Sequence, residues 1–395
     1  MAIYLDHAAT SPMRREVLDA MLPLLTDTFG NPSSPHAFGR AARGALDEAR
    51  ESVARALGAE VREIVFTSGG SESINLAIKG AAWAGKARGH HLVTSAVEHD
   101  AVLNAMGQLA KFGFDVTIVP VDRYGRVDPD ELASALTDRT ILVSLQVANN
   151  EVGTLQPIAA CVRRVREHRH VLVHLDAVQA AAWMDLDVRE LDADLLSIAG
   201  HKIEGPKGIG ALFVRRGTAI LAQLQGGTQE RYRRAGTENV AGAVGLGTAL
   251  RLATGERQAV VARVRALRDQ LRDAVLAAPG VELTGHPRER LPNHLSVLAG
   301  DADGQSVVLA LDLDGLACST GSACTTGSTE PSHVLTAMGF PAEEARGSLR
   351  LTLGRTTTSD DVAEAARLVP ATIERLREAA AAIAADPLGQ EVPAS

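Results

Sequence analysis

Lys202 closes the run Ala199-Gly200-His201-Lys202, directly after a short apolar stretch and just before Gly205-Pro206-Lys207-Gly208. An amine at the end of a strand can form a Schiff base with an aldehyde cofactor if its pKa is lowered. A single lysine is weak evidence, because most are solvated loop residues, so its company decides. Asp176 follows the apolar run 171–175. It could bond a protonated ring nitrogen, or simply cap a helix. Gln179 lies about one turn further on, where it could reach a phenolic ring oxygen. Thr67-Ser68-Gly69-Gly70-Ser71-Glu72-Ser73 joins an apolar run to a helical one. Amides at a helix start suit a phosphate, the glycines permit close approach, and Ser71 adds a hydroxyl donor. The pattern is neither a Walker loop nor a dinucleotide fingerprint. Glu98-His99 follows another apolar run, with an imidazole able to stack on a ring, move a proton or serve the structure alone. Asn149-Asn150-Glu151 ends a further run and offers an amide. Polar groups recur at one place, the ends of strands, and coincidence is a poor explanation for that.

The elements that position these groups can be read from periodicity. Short β-branched runs at 63–67, 91–95, 115–121, 141–146, 171–175, 194–199 and 210–214 alternate with helical stretches such as 71–82 and 100–111. Asp128-Pro129-Asp130 starts a helix with a cap and an early proline. Apolar strands separated by helices predict an α/β fold, a mostly parallel seven-stranded sheet covered on both faces. Ligands in such sheets gather at the carboxyl ends of strands, where the candidate residues fall. After about residue 257 the character changes. Residues 262–278 read as a long amphipathic helix, and 293–299 and 348–354 as strands of a smaller α+β unit. The expected organisation is a large cofactor-binding domain over 14–257 and a small domain from 1–13 and 258–385. The small domain would carry a mobile Gly/Ser/Thr-rich loop at about 319–329, and 386–395 is expected to be a disordered tail.

Composition bounds the rest. A chain of 395 residues suits two domains. Aromatic residues make up only 3%, so Ala, Val, Leu and Ile must fill the core. A net charge of −8 argues against a broad nucleic-acid surface but leaves room for local basic patches; Arg231, Arg233 and Arg234 read as a docking face or, more simply, as solvated surface. Cys161, Cys318 and Cys324 are too few for a disulfide framework, and a reducing cytoplasm is the simpler setting. The start MAIYLDHAAT does not read as a signal peptide, and no run is long enough for a membrane span.

Taken together, YLDHAAT, FGNPSSPH, FTSGGSES, EHDAVL, VANNEVG, HLDAVQA, AGHKIEGPKG, RAGTEN, STGSACTTGSTEPSHVL and SLRLTLGR resemble cysteine desulfurases of the NifS/IscS type. These belong to the class V aminotransferase group of fold-type I enzymes. The likeness runs in order from about Tyr4 to Thr358. It implies pyridoxal 5'-phosphate on Lys202, with His99 stacked on the ring and assisting proton transfer. Asp176 would pair with the pyridine nitrogen, Gln179 with the phenolic oxygen, and Asn150 with cofactor or substrate. Gly70, Ser71 and His201 would hold the phosphate. Thr237 would reach the phosphate of the partner subunit, which implies a homodimer with shared sites. Arg350 would bind the substrate carboxylate through a planar, bidentate guanidinium. Ala199 departs from the usual serine and removes one phosphate donor, whereas Ser71 in place of threonine keeps the hydroxyl.

The implied reaction takes sulfur from L-cysteine, gives L-alanine and leaves a persulfide on Cys324 for an acceptor protein, an iron–sulfur scaffold being the default and a tRNA-thiolation relay or a DNA-sulfur-modification system the alternatives. The longer cysteine loop resembles the subgroup that feeds acceptors. A related aminotransferase and a selenocysteine lyase are the enzymatic alternatives. A metal-binding scaffold using Cys318, Cys324 and His333 is the non-enzymatic one, but that spacing fits no familiar zinc pattern. Cys161, in an apparent helix, is expected to be structural.

Overall fold

Strands of this chain are buried on both faces, and that requirement sets the fold. The computed structural model describes residues 2–321 and 331–385. Cys324 and the expected tail 386–395 lie outside the described residues. Contacts divide the chain into a larger unit, Ala8–Asn150 with Thr154–Ala259, and a smaller one built from Met1–His7, Glu151–Gly153 and the chain from Val260 on. Strand β1 (Ile3–Tyr4) belongs to the smaller unit.

The larger unit holds β2 (Ile64–Thr67), β3 (His91–Ser95), β4 (Asp115–Val119), β5 (Thr140–Gln146), β6 (Leu172–Asp176), β7 (Leu195–Ala199) and β8 (Gly210–Val214). They form one sheet in the order β2-β8-β7-β6-β5-β3-β4. The five strands from β7 to β4 run parallel, and β8 is antiparallel to both neighbours, β7 and β2. This is the seven-stranded, mostly parallel sheet expected. Every residue of β2, β3, β5, β7 and β8 is buried, as a sheet covered on both faces requires. At the edge, β4 is only partly covered and stops at Val119, two residues before its expected end. Pro120 follows and cannot donate to a ladder.

Helix Gly70–Gly85 packs Ile74, Ala77, Ile78 and Ala81 into a core with Leu92, Leu142, Leu195 and Leu212. The expected cap at Asp128 is present: its carboxylate accepts the Asp130 and Glu131 amides ahead of Pro129–Ser134. Cys161 is fully buried in Ile158–Val165 and free, as expected of a structural thiol. The long amphipathic helix differs from expectation. It runs unbroken from Val240 to Leu276, 37 residues, starting well before residue 262. Its first half carries glycines that hide the apolar period. Two of them serve close approach: a Cβ on Gly245 would lie 2.6 Å from Met21 Sδ and 2.9 Å from a Pro206 carbon, and one on Gly247 would lie 3.0 Å from the Ala49 carbonyl oxygen.

In the smaller unit, β9 (Glu282–Leu283), β10 (His294–Leu298), β11 (Leu316–Ala317) and β12 (Ser348–Thr352) complete the strands. An antiparallel sheet has the order β12-β10-β9, and β1 pairs in parallel with β11. No helix among the described residues is long and apolar enough to cross a membrane.

Candidate active site

Five strand ends of the larger unit, those of β2, β3, β5, β6 and β7, supply the candidate residues, and each turn has a local cause. Strand β7 passes into a single 3₁₀ turn, Gly200–Lys202. There the Lys202 ammonium donates to the Ala8 and Ala9 carbonyls, at 2.8 Å for the latter. Asp176 is the last residue of β6 and only 6% exposed. Its Oδ1 accepts the Val178 amide at 3.0 Å. Burial pushes this carboxyl above its ordinary range, while the Val178 amide and the charges of His99 and Lys202 pull it back only in part. The same electrostatic reach places Asp176, His99 and Lys202 in one neighbourhood. Gln179 donates to the Ala8 carbonyl at 3.0 Å. His201 Nδ1 lies 3.2 Å from the Thr10 hydroxyl. Burial, aided by the Lys202 and Lys207 charges, pushes its imidazole down to about 4, so the ring is neutral near pH 7.

His99 caps helix Asp100–Lys111, its Nδ1 accepting the Ala101 amide at 3.0 Å. That bond assigns the proton of the neutral ring to Nε2. Beneath it lies a polar plug between the ends of β3 and β5. Glu98 is fully buried, with Oε1 2.6 Å from the Ser95 hydroxyl, and it also accepts the Gln146 amide. Burial raises it to about 8. The side-chain amides of Gln146 and Asn149 both donate to the Val97 carbonyl, at 2.6 and 3.0 Å. These bonds fix the turn that carries Asn150, which is half-buried.

Beyond β2 the chain turns at Gly69, φ +155°, into helix Gly70–Gly85. Among the described residues no protein acceptor takes the Gly70, Ser71 and Glu72 amides; the helix ladder begins with Ser73 bonded to Gly69. Gly70 must lack a side chain because a Cβ would meet Val178 at 2.9 Å. This brings the amide-rich turn against the segment after Asp176. Thr237 is exposed on the loop after Arg234.

Arg350 lies in the smaller unit, on β12. Its side chain is 2% exposed and its Nη2 is 2.8 Å from Asp6 Oδ1. Its backbone bridges Ser319 in both directions, which sets it beside the start of the segment that leads to Cys324. Cys318 has its thiol pushed up to about 12, chiefly by burial and then by Asp6, and is no nucleophile in that state. No group of residues fit to hold a metal occurs among the described residues.

Two features escaped sequence reasoning. Ala8, Ala9 and Thr10 fasten Lys202, Gln179 and His201 through two backbone carbonyls and a hydroxyl, and the first two carry no side-chain signal. Arg234 is not simply solvated surface: its guanidinium pairs with Glu72 at 2.9 Å.

The sequence profile of the family described as aminotransferase class-V matches residues 3–364. The chain belongs to this family. It is 50% identical to the cysteine desulfurase IscS of Methanosarcina thermophila over 376 residues, 95% of this chain and 93% of that protein. Identity to the cysteine desulfurase IscS of Dictyoglomus turgidum is 49%, covering 95% of each. A solved NifS-like protein superposes with a TM-score of 0.90 at 35% identity, covering 95% of this chain and all of the other. Enzymes of this group are pyridoxal-phosphate-dependent, and pyridoxal phosphate is the cofactor of this chain. The donor set fits it. A helix start with three available amides suits the phosphate, and a buried carboxylate suits a protonated ring nitrogen. A lysine held beside that carboxylate suits the aldehyde.

Proposed function

We propose that the protein is a cysteine desulfurase that takes sulfur from L-cysteine, releases L-alanine and leaves a persulfide on Cys324. The observation that carries this reading is the convergence of Lys202, Asp176 and His99 at the ends of β7, β6 and β3 in a chain 50% identical to the cysteine desulfurase IscS of Methanosarcina thermophila. Lys202 would hold the aldehyde end of the cofactor. Gly70, Ser71 and His201 would hold the phosphate, and Asp176 the ring nitrogen. Gln179 would face the phenolic oxygen, and Asn150 cofactor or substrate. When bound, pyridoxal phosphate supplies an electron sink for charge developing at the substrate Cα.

The chain's own groups then move protons and sulfur. The Lys202 amine takes the Cα proton, and His99 moves a proton through Nε2. Arg350, held by Asp6, binds the substrate carboxylate. The Cys324 thiolate attacks the substrate sulfur: an S–S bond forms, the Cβ–S bond breaks, and the carbon that loses sulfur ends as the methyl group of alanine after protonation. One thiol and one cysteine thus give one persulfide and one alanine, with no external oxidant.

The persulfide would serve an acceptor protein, with iron–sulfur cluster assembly as the favoured destination. Thr237 would reach the partner's phosphate in a homodimer. The exposed Leu221, Leu224 and Tyr232 of the same stretch support that reading. The cytoplasm is the proposed compartment, in keeping with two free cysteines among the described residues.

The test is incubation with L-cysteine, mass measurement of the Cys324 peptide and quantification of alanine. The expected result is one added sulfur on that peptide and stoichiometric alanine. A Cys324→Ser chain should bind cofactor normally and release no sulfur. Amino transfer to a keto acid without sulfur release, or undiminished turnover by the serine variant, would overturn the proposal.

A further inference from the structure

Glu72 stands in the first turn of helix Gly70–Gly85, two residues past Gly70. A carboxylate there favours the helix, but it repels a phosphate drawn to the same amides. Glu72 is turned back on the chain, with Oε2 accepting the Ser68 amide at 2.8 Å. Arg234 covers it, with Nε 2.9 Å from Oε1 and Nη2 3.4 Å from Oε2. Burial pushes the Glu72 carboxyl up, but the hydrogen bonds from Arg234 and Ser68 outweigh it and keep the group ionised. A full negative charge therefore sits at the rim of the phosphate turn, with a guanidinium laid on it.

The segment that delivers Arg234 is strained. Glu230, Arg231 and Tyr232 have φ of +45°, +56° and +64° in succession, a left-handed run that is unfavourable for residues other than glycine. Glu230 holds it in place. Its carboxylate is buried, paired with Arg50 at 2.6 and 2.7 Å, and accepts the Phe66 amide at 3.0 Å. Phe66 lies on β2, immediately before the turn 67–70. The strained segment is thus anchored at the strand end that launches the phosphate turn and reaches forward to the acid at its rim. Strain held by a buried ion pair marks a geometry the fold maintains against its local preference.

We propose that Arg234 is a positioning residue that cancels the Glu72 charge at the phosphate turn and so sets the affinity for phosphorylated cofactor. This rests on the assignment of that turn to the phosphate of pyridoxal phosphate. The experiment measures equilibrium dissociation of pyridoxal phosphate and of phosphate-free pyridoxal from wild type, Arg234→Gln, Glu72→Gln, the double variant and Arg234→Lys. Thermal unfolding of each cofactor-free chain checks the fold. Arg234→Gln should weaken pyridoxal phosphate about tenfold, less at high salt, with pyridoxal unchanged. The double variant should recover to within about threefold of wild type, and Arg234→Lys should stay near it, because charge is what matters. An Arg234→Gln chain that binds like wild type, or a double variant as weak as the single one, would overturn the proposal. Equal wild-type affinity for pyridoxal and its phosphate would instead overturn the phosphate assignment, and the proposal with it.

Discussion

Asp176 shows what a single residue contributes when its surroundings are hostile to its charge. The carboxylate is buried at the end of β6, takes one amide bond from Val178, and is raised by burial. It is poised to be stabilised by a cation placed against it, and a protonated ring nitrogen is such a cation. Asparagine is nearly the same shape and still accepts the Val178 amide, yet carries no charge. Asp176→Asn should therefore fold normally and be at least as stable without cofactor. It should lose at least about a hundredfold in the rate of alanine formation, because the ring nitrogen would no longer be kept protonated. Thermal unfolding together with steady-state kinetics checks both halves; a variant with wild-type turnover would remove Asp176 from the chemistry. Residues of this kind were legible in the sequence because each carries a reactive side chain directly after an apolar run. Ala8 and Ala9 were not legible, because what they offer Lys202 is backbone carbonyls. The Arg234–Glu72 pair was hidden for a different reason, a separation of 162 residues that no local pattern reveals.

At the scale of elements, the parallel strands were readable as unbroken apolar runs, since strands buried on both faces cannot alternate. The glycine-bearing first half of helix Val240–Leu276 was not, because small residues chosen for close packing blur the helical period. The elements also explain why β8 opens with glycine. A Cβ on Gly210 would lie 2.7 Å from the Ile198 carbonyl and 2.8 Å from the Gly69 Cα and carbonyl carbon. These are backbone atoms that cannot swing away, and Gly69 is the hinge of the phosphate turn. Gly210→Ala must push that turn outward. It should cost about 1–3 kcal/mol of stability and weaken pyridoxal phosphate more than pyridoxal. Urea unfolding and the two dissociation constants measure this, and equal weakening of both ligands would show that the turn does not move.

For the whole molecule, two buried groups tilt stability against pH in opposite directions. His174 is fully buried, with Nδ1 2.8 Å from the Ser144 hydroxyl and Nε2 2.9 Å from that of Ser197. Burial holds it at about 3 against an ordinary 6.5. Between those values the unfolded chain binds the extra proton, so stability falls as pH drops below about 6.5. Glu98 is held at about 8 against an ordinary 4.5. Between those values the folded chain keeps the extra proton, so stability falls as pH rises from about 4.5 to 8. Other carboxylates and histidines shape the absolute curve, and the difference between variant and wild type isolates each group. Relative to wild type, Glu98→Gln should gain roughly 3–4 kcal/mol on moving from pH 5 to 8.5, since glutamine mimics the protonated acid. His174→Gln, whatever its fixed packing cost, should gain a similar amount on moving from pH 7 to 4. Denaturant unfolding of the cofactor-free proteins across this range reads both slopes. Difference curves that stay flat would mean that these two groups titrate in the folded protein much as they do in water, and that the plug under His99 is wet.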